Sequence, residues 1–143
     1  MKGDETIQVL RTRRSVRKFK TSPVDEATLR EILDCARLAP TAMNVQPWEF
    51  VIVRDAARRA KLAEITNYGK FIAVAPVCVA VLAREGKYYL EDGCAALVTI
   101  LIAAWARGLA TCWVAGDKKP YADQIRDLLG APPDQRLVGL IAL

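Results

Sequence analysis

The sequence predicts a sheet layered against helices, of the α/β or α+β class. Three observations carry that reading. Runs of apolar and β-branched residues alternate along the chain with segments of helical periodicity. One run, Val77 to Leu82 behind Pro76, is apolar on both faces and so belongs at the centre of a sheet. The longest apolar stretch, Cys94 to Ala106, is broken only by Thr99. It is shorter than the ~20 residues that cross a bilayer, which makes it a core helix of a soluble domain.

Residues 3–12 read as a short helix and 13–22 as a basic connector. Ser22 is the expected N-cap of the next helix, with Pro23 in its first turn and Asp25 as the capping-box carboxylate. Leu29, Ile32, Leu33 and Ala36 give that helix one apolar face, and Pro40 ends the pattern. PTAMNVQPWEF, residues 40–50, is a loop by its Pro, Thr and Asn content, leading into an extended Phe50–Val53. Residues 56–65 form an amphipathic helix through Ala60, Leu62, Ala63 and Ile65, before the central strand at 77–82.

The long helix covers 88–107, with Glu91 and Asp92 placed to favour its macrodipole and Gly108 as C-cap. Gly93 and the alanines at 95, 96, 103, 104 and 106 allow close approach of a neighbouring element or of a symmetry mate. Thr111–Val114 is a third strand with Ala115-Gly116-Asp117 as its turn. Residues 120–129 are a short helix stopped by Gly130 and Pro132-Pro133, and Leu137–Leu143 is the last strand.

A chain of 143 residues is one domain of ordinary size, and its 52% hydrophobic content implies apolar surface buried between subunits. The net charge of +5 is concentrated: six of the ten residues from Arg11 to Lys20 are basic. That balance favours an anionic ligand and is too short and too poor in interleaved aromatics for a nucleic-acid arm. Cys35, Cys78, Cys94 and Cys112 have no metal-ligand spacing and read as buried hydrophobes in a reducing, cytoplasmic compartment. Met1 is followed by polar and charged residues, so no signal peptide or membrane anchor is expected.

The absence of histidine removes Ser-His-Asp and Cys-His catalysis, and neither a P-loop nor GxGxxG occurs. Adjacent Glu91 and Asp92 point to different faces of a helix and are poor acid and base partners. No catalytic residue and no metal site is expected. What remains is binding chemistry. Arg13, Arg14 and Arg17 with Ser15, in RRSVRKF, suit a phosphate and a nearby heterocycle, or form a solvated connector. The carboxamides of Asn44 and Gln46 can edge a ribityl chain or a heterocycle, or merely shape a turn. Trp48 and Trp113 suit an aromatic wall or the core.

RRSVRKF at 13–19, ARLAPTAMNVQPWEFVIV at 36–53, AP at 75–76 and YYLEDGCAALVTILIAAWARGLATCWVAG at 88–116 occur in the order of the FMN-dependent nitroreductases, which this chain resembles. The resemblance implies an α+β three-layer sandwich, with a central, mainly antiparallel sheet flanked by helices. It implies one FMN-binding domain over 1–143, ending at the strand from which family members run on into a C-terminal tail, and a homodimer with FMN at its interface. Carried over by position, Arg13, Arg14, Ser15 and Arg17 would contact the phosphate, ribityl chain and ring edge. Pro40, Thr41, Ala42, Asn44 and Gln46 of the partner subunit would face the flavin, and Val114, Ala115 and Gly116 would lie by its ring. Asn67 is a looser match.

The activity so implied is passage of a hydride from NADH or NADPH through the flavin to a nitroaromatic, quinone or similar small acceptor by ping-pong exchange. The alternative is a protein that binds flavin or another phosphorylated ligand without efficient turnover. The short stretch between Val53 and Tyr88 would leave the flavin face open, because larger relatives roof the site there.

Overall fold

A computed structural model describes residues 3–143. Five α-helices, α1 (Gly3–Thr12), α2 (Glu26–Ala36), α3 (Ala56–Ile65), α4 (Tyr89–Ala106) and α5 (Ala122–Leu128), surround four strands. The strands are β1 (Trp48–Val53), β2 (Cys78–Arg84), β3 (Cys112–Ala115) and β4 (Gln135–Ala142). They form one sheet in the order β1-β2-β4-β3, every neighbouring pair antiparallel. Short 3-10 turns occur at Ala42–Asn44, within the expected loop, and at Lys70–Ala73, and neither was foreseen in the sequence.

Side-chain alternation along β2 builds two cores. Val77, Val79, Val81 and Ala83 pack with α2 and α4 on one face. Cys78, Ala80 and Leu82 pack with α3, the Lys70–Ala73 turn and α5 on the other. The expected three-layer α+β sandwich with an antiparallel centre is therefore the fold. The β2–β4 register skips one residue, since Val81 faces Gly139 and Leu82 faces Leu137. Val138 is thus a bulge that turns an extra side chain toward α4.

Three details depart from the expectations. Asp25, not Ser22, caps α2: its carboxylate accepts the Thr28 N–H at 3.0 Å. Asp25 itself is extended (φ −60°, ψ 134°), and Val24 before it is buried against the α2–α4 core, which delays the helix start. The cysteines are not uniformly internal either. Cys78 and Cys112 are buried, Cys94 is half-buried, and Cys35 is exposed on α2. Burial pushes the Cys78 thiol up to about 12. Finally, Asp92 does stand in the first turn of α4, but it is buried there.

α4 meets the length and composition expected of a membrane-crossing helix, yet Ala96, Leu97, Ile100 and Ala104 are completely covered by the sheet and α2. Its other face is covered only in part, by α1 at the far end, where Trp105 Nε1 donates to the Thr12 hydroxyl at 2.9 Å. Ala95, Val98, Ile102 and Trp105 recur at helical spacing along it, and Val98 is 41% exposed. α1 has no buried residue and leaves Ile7 and Leu10 about half exposed beside this face.

Candidate functional site

The basic segment after α1 is held against the outer edge of β3. Ser15 bridges Thr111 in parallel, with the Val16 N–H donating to the Thr111 carbonyl at 3.0 Å. Phe19 packs on Phe71 at 6.0 Å between ring centroids and so fixes the far end. Arg14 folds back, donating from Nη1 to the carbonyls of Arg11 (3.2 Å) and Arg13 (3.0 Å) at the end of α1. Arg13 and Arg17 pair with no carboxylate among the described residues. Both bear on Cys112, whose thiol is pushed up by burial while Arg17 and Arg13 pull it down. They therefore set up one local positive field at the start of β3.

Arg17 lines a hollow of about 220 Å³ with Cys112, Trp113, Val114, Ala115 and Tyr121, closed on the other side by Tyr68, Phe71 and Lys119. The side chain of Val114 lies in the core, so it offers the hollow only backbone. Backbone groups alternate in a strand, and the Thr111 carbonyl faces outward to Val16; Trp113 and Ala115 then present theirs on the same outer edge. The Ala115 carbonyl accepts the Tyr121 hydroxyl at 3.3 Å. Gly116 is buried, because a Cβ there would lie 2.8 Å from Leu137 and 3.1 Å from the Gly139 backbone. Its part in the site is to let the turn lie flat on the sheet.

The wall opposite is firmly seated. Lys70 donates to the carbonyls of Ala63, Glu64 and Thr66 at 2.9–3.1 Å and so closes the end of α3. Lys119 stands over the Tyr68 ring at 5.5 Å. Asn67 is exposed next to this wall.

The amide-bearing loop sits elsewhere. Met43, Asn44 and Gln46 all have φ near +54° (54, 54 and 53). A left-handed backbone costs non-glycine residues roughly 1–2 kcal/mol apiece, Asn least, so surrounding contacts must hold it. Those contacts are the Thr41 hydroxyl, accepting the Gln46 N–H at 3.1 Å, and Asp92, whose Oδ1 accepts the Ala42 N–H at 3.0 Å. Pro40, Asn44 and Gln46 are exposed, while Thr41 and Ala42 are half-buried.

One chain does not bring the two halves together. The arginines run along β3 from the row Cys112–Ala142–Cys78–Val53, while the loop enters β1 at the opposite sheet edge, where Trp48 faces Ala83. With about 4.8 Å between strands and about 3.4 Å per residue along them, the diagonal is upwards of roughly 20 Å. That is farther than a three-ring heterocycle reaches.

The first turn of α4 tethers both regions. Tyr89 donates its hydroxyl to Asp117 Oδ1 at 2.8 Å, just beyond the Ala115–Gly116 turn, and Arg136 joins the group at 3.6 Å from Asp117. Burial, then the bond to Asp117, pushes the Tyr89 phenol up. Asp92, one turn on, holds the loop. Neither role was evident in the sequence, because the partners lie 28 and 50 residues away with no local pattern to mark them.

The family model "Nitroreductase family" matches residues 10–69 and 66–143. An Archaeoglobus fulgidus protein named "Putative NADH dehydrogenase/NAD(P)H nitroreductase" is 30% identical over 98% of this chain and 84% of its own length. Among solved structures, an FMN-dependent nitroreductase of Clostridium difficile superposes with a TM-score of 0.91 at 30% identity, over 95% of this chain and 84% of that one. "A putative nitroreductase in complex with fmn" from Desulfovibrio desulfuricans gives 0.86 at 28% identity, over 96% and 83%. With nearly the whole length matched in sequence and in fold, the chain belongs to the nitroreductase family.

Proposed function

We propose that this chain is a single FMN-binding domain that works as a cytoplasmic homodimer, an oxidoreductase carrying a hydride from NADH or NADPH to a nitroaromatic, quinone or similar small acceptor. The observation that carries this reading is Arg17, which pairs with no carboxylate among the described residues and lines a hollow beside the outward backbone edge of β3, with Arg13, equally unpaired, adding to the same positive field at Cys112. This donor set fits FMN: guanidiniums suit a phosphate and an electron-rich ring oxygen, and the outward N–H of Ala115 suits a ring nitrogen. Bound there, FMN would supply the two-electron chemistry that no side chain of this protein can.

Each remaining task falls to the chain. Arg13 and Arg17 bind the anionic groups and favour negative charge on the ring. Gly116 keeps the turn close to the sheet, so that Ala115 is presented without a side chain in the way. Tyr68, Phe71 and Lys119 form an open wall on which donor and acceptor dock in turn, which suits ping-pong exchange and a broad range of acceptors. Thr41, Ala42, Asn44 and Gln46 complete the site from a second subunit. The diagonal separation within one chain and the partly open apolar stripe on α4 support that arrangement.

Absorbance of the purified protein tests it. We expect about one FMN per chain, bleaching by NADH or NADPH without oxygen, and recolouring by a quinone. Flavin that neither nucleotide bleaches would leave a binding protein. A protein that takes up no FMN would refute the reading, as would an Arg13→Ala variant with undiminished occupancy.

A further inference from the structure

Beside the amide loop lies a second hollow of about 220 Å³. The loop contributes Met43, Val45 and Pro47 as its apolar floor, and the short connection from β2 to α4 supplies Arg84, Lys87 and Tyr88. Its charges are unequally matched. Glu85 is paired with Arg136 at 3.2 Å, and Asp92 accepts the Ala42 N–H. Arg84 and Lys87 are exposed and pair with no carboxylate among the described residues. Lys87 stands 5.2 Å from the centroid of the Tyr88 ring, and Tyr88 is 40% exposed, leaving ring surface in the mouth of the hollow.

Two cations without a carboxylate partner, one of them over a partly exposed aromatic ring, match a ligand that is both phosphorylated and aromatic. The hollow is smaller than the ~300 Å³ at which pockets begin to enclose a whole small ligand. It therefore suits one end of a longer molecule. Its floor is the same loop whose Asn44 and Gln46 are assigned to the flavin, so the rest of that molecule would extend over the flavin site.

Resting on the flavin reading, we propose that this hollow binds the phosphate-bearing adenosine half of the pyridine dinucleotide. Arg84 and Lys87 contact the phosphates, and Tyr88 is the platform for the base. The nicotinamide end then reaches the flavin held by the partner's arginines, so the loop-bearing subunit selects the donor for its mate's cofactor.

The test separates this from the flavin reading by using a probe without nicotinamide. ADP-ribose is titrated into the full chain, with FMN present and absent, for parent, Arg84→Ala, Lys87→Ala and Lys87→Glu. Both side chains are exposed, and such substitutions leave folding nearly unchanged. Loss of one charge-assisted contact should weaken ADP-ribose about tenfold, more for Lys87→Glu, and added salt should weaken the parent. In turnover, KM for NADH or NADPH should rise by a similar factor, while KM for reduced nicotinamide mononucleotide stays as in the parent. FMN affinity should not change. No binding of ADP-ribose to the parent, or equal binding by parent and variants, would overturn the proposal. Absence of FMN binding would instead sink the flavin reading, and the ADP-ribose titration would still decide this one.

Discussion

Glu91 and Asp92 are neighbours in sequence with different fates. Glu91 stays in water, whereas Asp92 is 7% exposed and accepts the backbone N–H of Ala42. Their sequence suggests only a pair of charges favourable to a helix start, since a hydrogen bond across 50 residues leaves no local trace. The arginines were legible for the opposite reason: basic residues crowded into ten positions, without neighbouring acids, stand out as seeking an anion. Asp92 matters because Met43, Asn44 and Gln46 do not hold a left-handed backbone unaided. Replacing Asp92 by alanine leaves a part-buried N–H unpaired, at a cost of about 1–3 kcal/mol. We expect FMN affinity to fall about tenfold or more in Asp92→Ala. Asp92→Asn keeps an Oδ1 acceptor and should retain near-parental affinity. Quenching of flavin fluorescence measures both, and parental affinity in the alanine variant would remove Asp92 from the site's support.

At the scale of elements, the sequence pattern located all five α-helices and all four strands, in most cases because one face must be buried; α1, which buries no residue, is the exception. The pattern misplaced the start of α2, where tertiary burial of Val24 overrode a serine that fits the capping pattern. It could not locate the bulge at Val138, a fact about the register between two strands and not about either alone. That bulge explains Gly93. A Cβ at 93 would lie 2.5 Å from Val138 Cγ2, so the helix rests on the sheet at a distance only glycine permits. Alanine improves helix propensity by about 1 kcal/mol, but overpacking costs about 1–3 kcal/mol, and the clash with a packed branched side chain should win. Gly93→Ala should therefore lower the urea midpoint, and Val138→Ala in the same chain should recover part of the loss. A stabilised Gly93→Ala would mean that α4 can lift off the sheet freely, and the tether from its first turn to the two site segments would be looser than described.

For the whole molecule, the two halves of the site were each readable from residue types, but their diagonal placement was not, since it depends on strand order β1-β2-β4-β3. That placement gives the partly open side of α4 its meaning. Ala95, Val98, Ile102 and Trp105 form an apolar stripe along an 18-residue helix, and the flank beside it carries half-exposed Ile7 and Leu10. Burying this stripe against its copy would account for a hydrophobic content of 52% in a small domain and would bring a second amide loop into reach. Val98→Arg places a charge at the middle of the stripe, where it points away from the folded core and leaves the protomer intact. If two copies meet there, the buried, unpaired guanidinium should break the dimer. Sedimentation should then find monomers with parental circular dichroism, and FMN occupancy should fall with the dimer, because each site has lost half its donors. A monomer that still held FMN at full occupancy would show that one chain suffices, and a Val98→Arg dimer as tight as the parent would place the contact on another face.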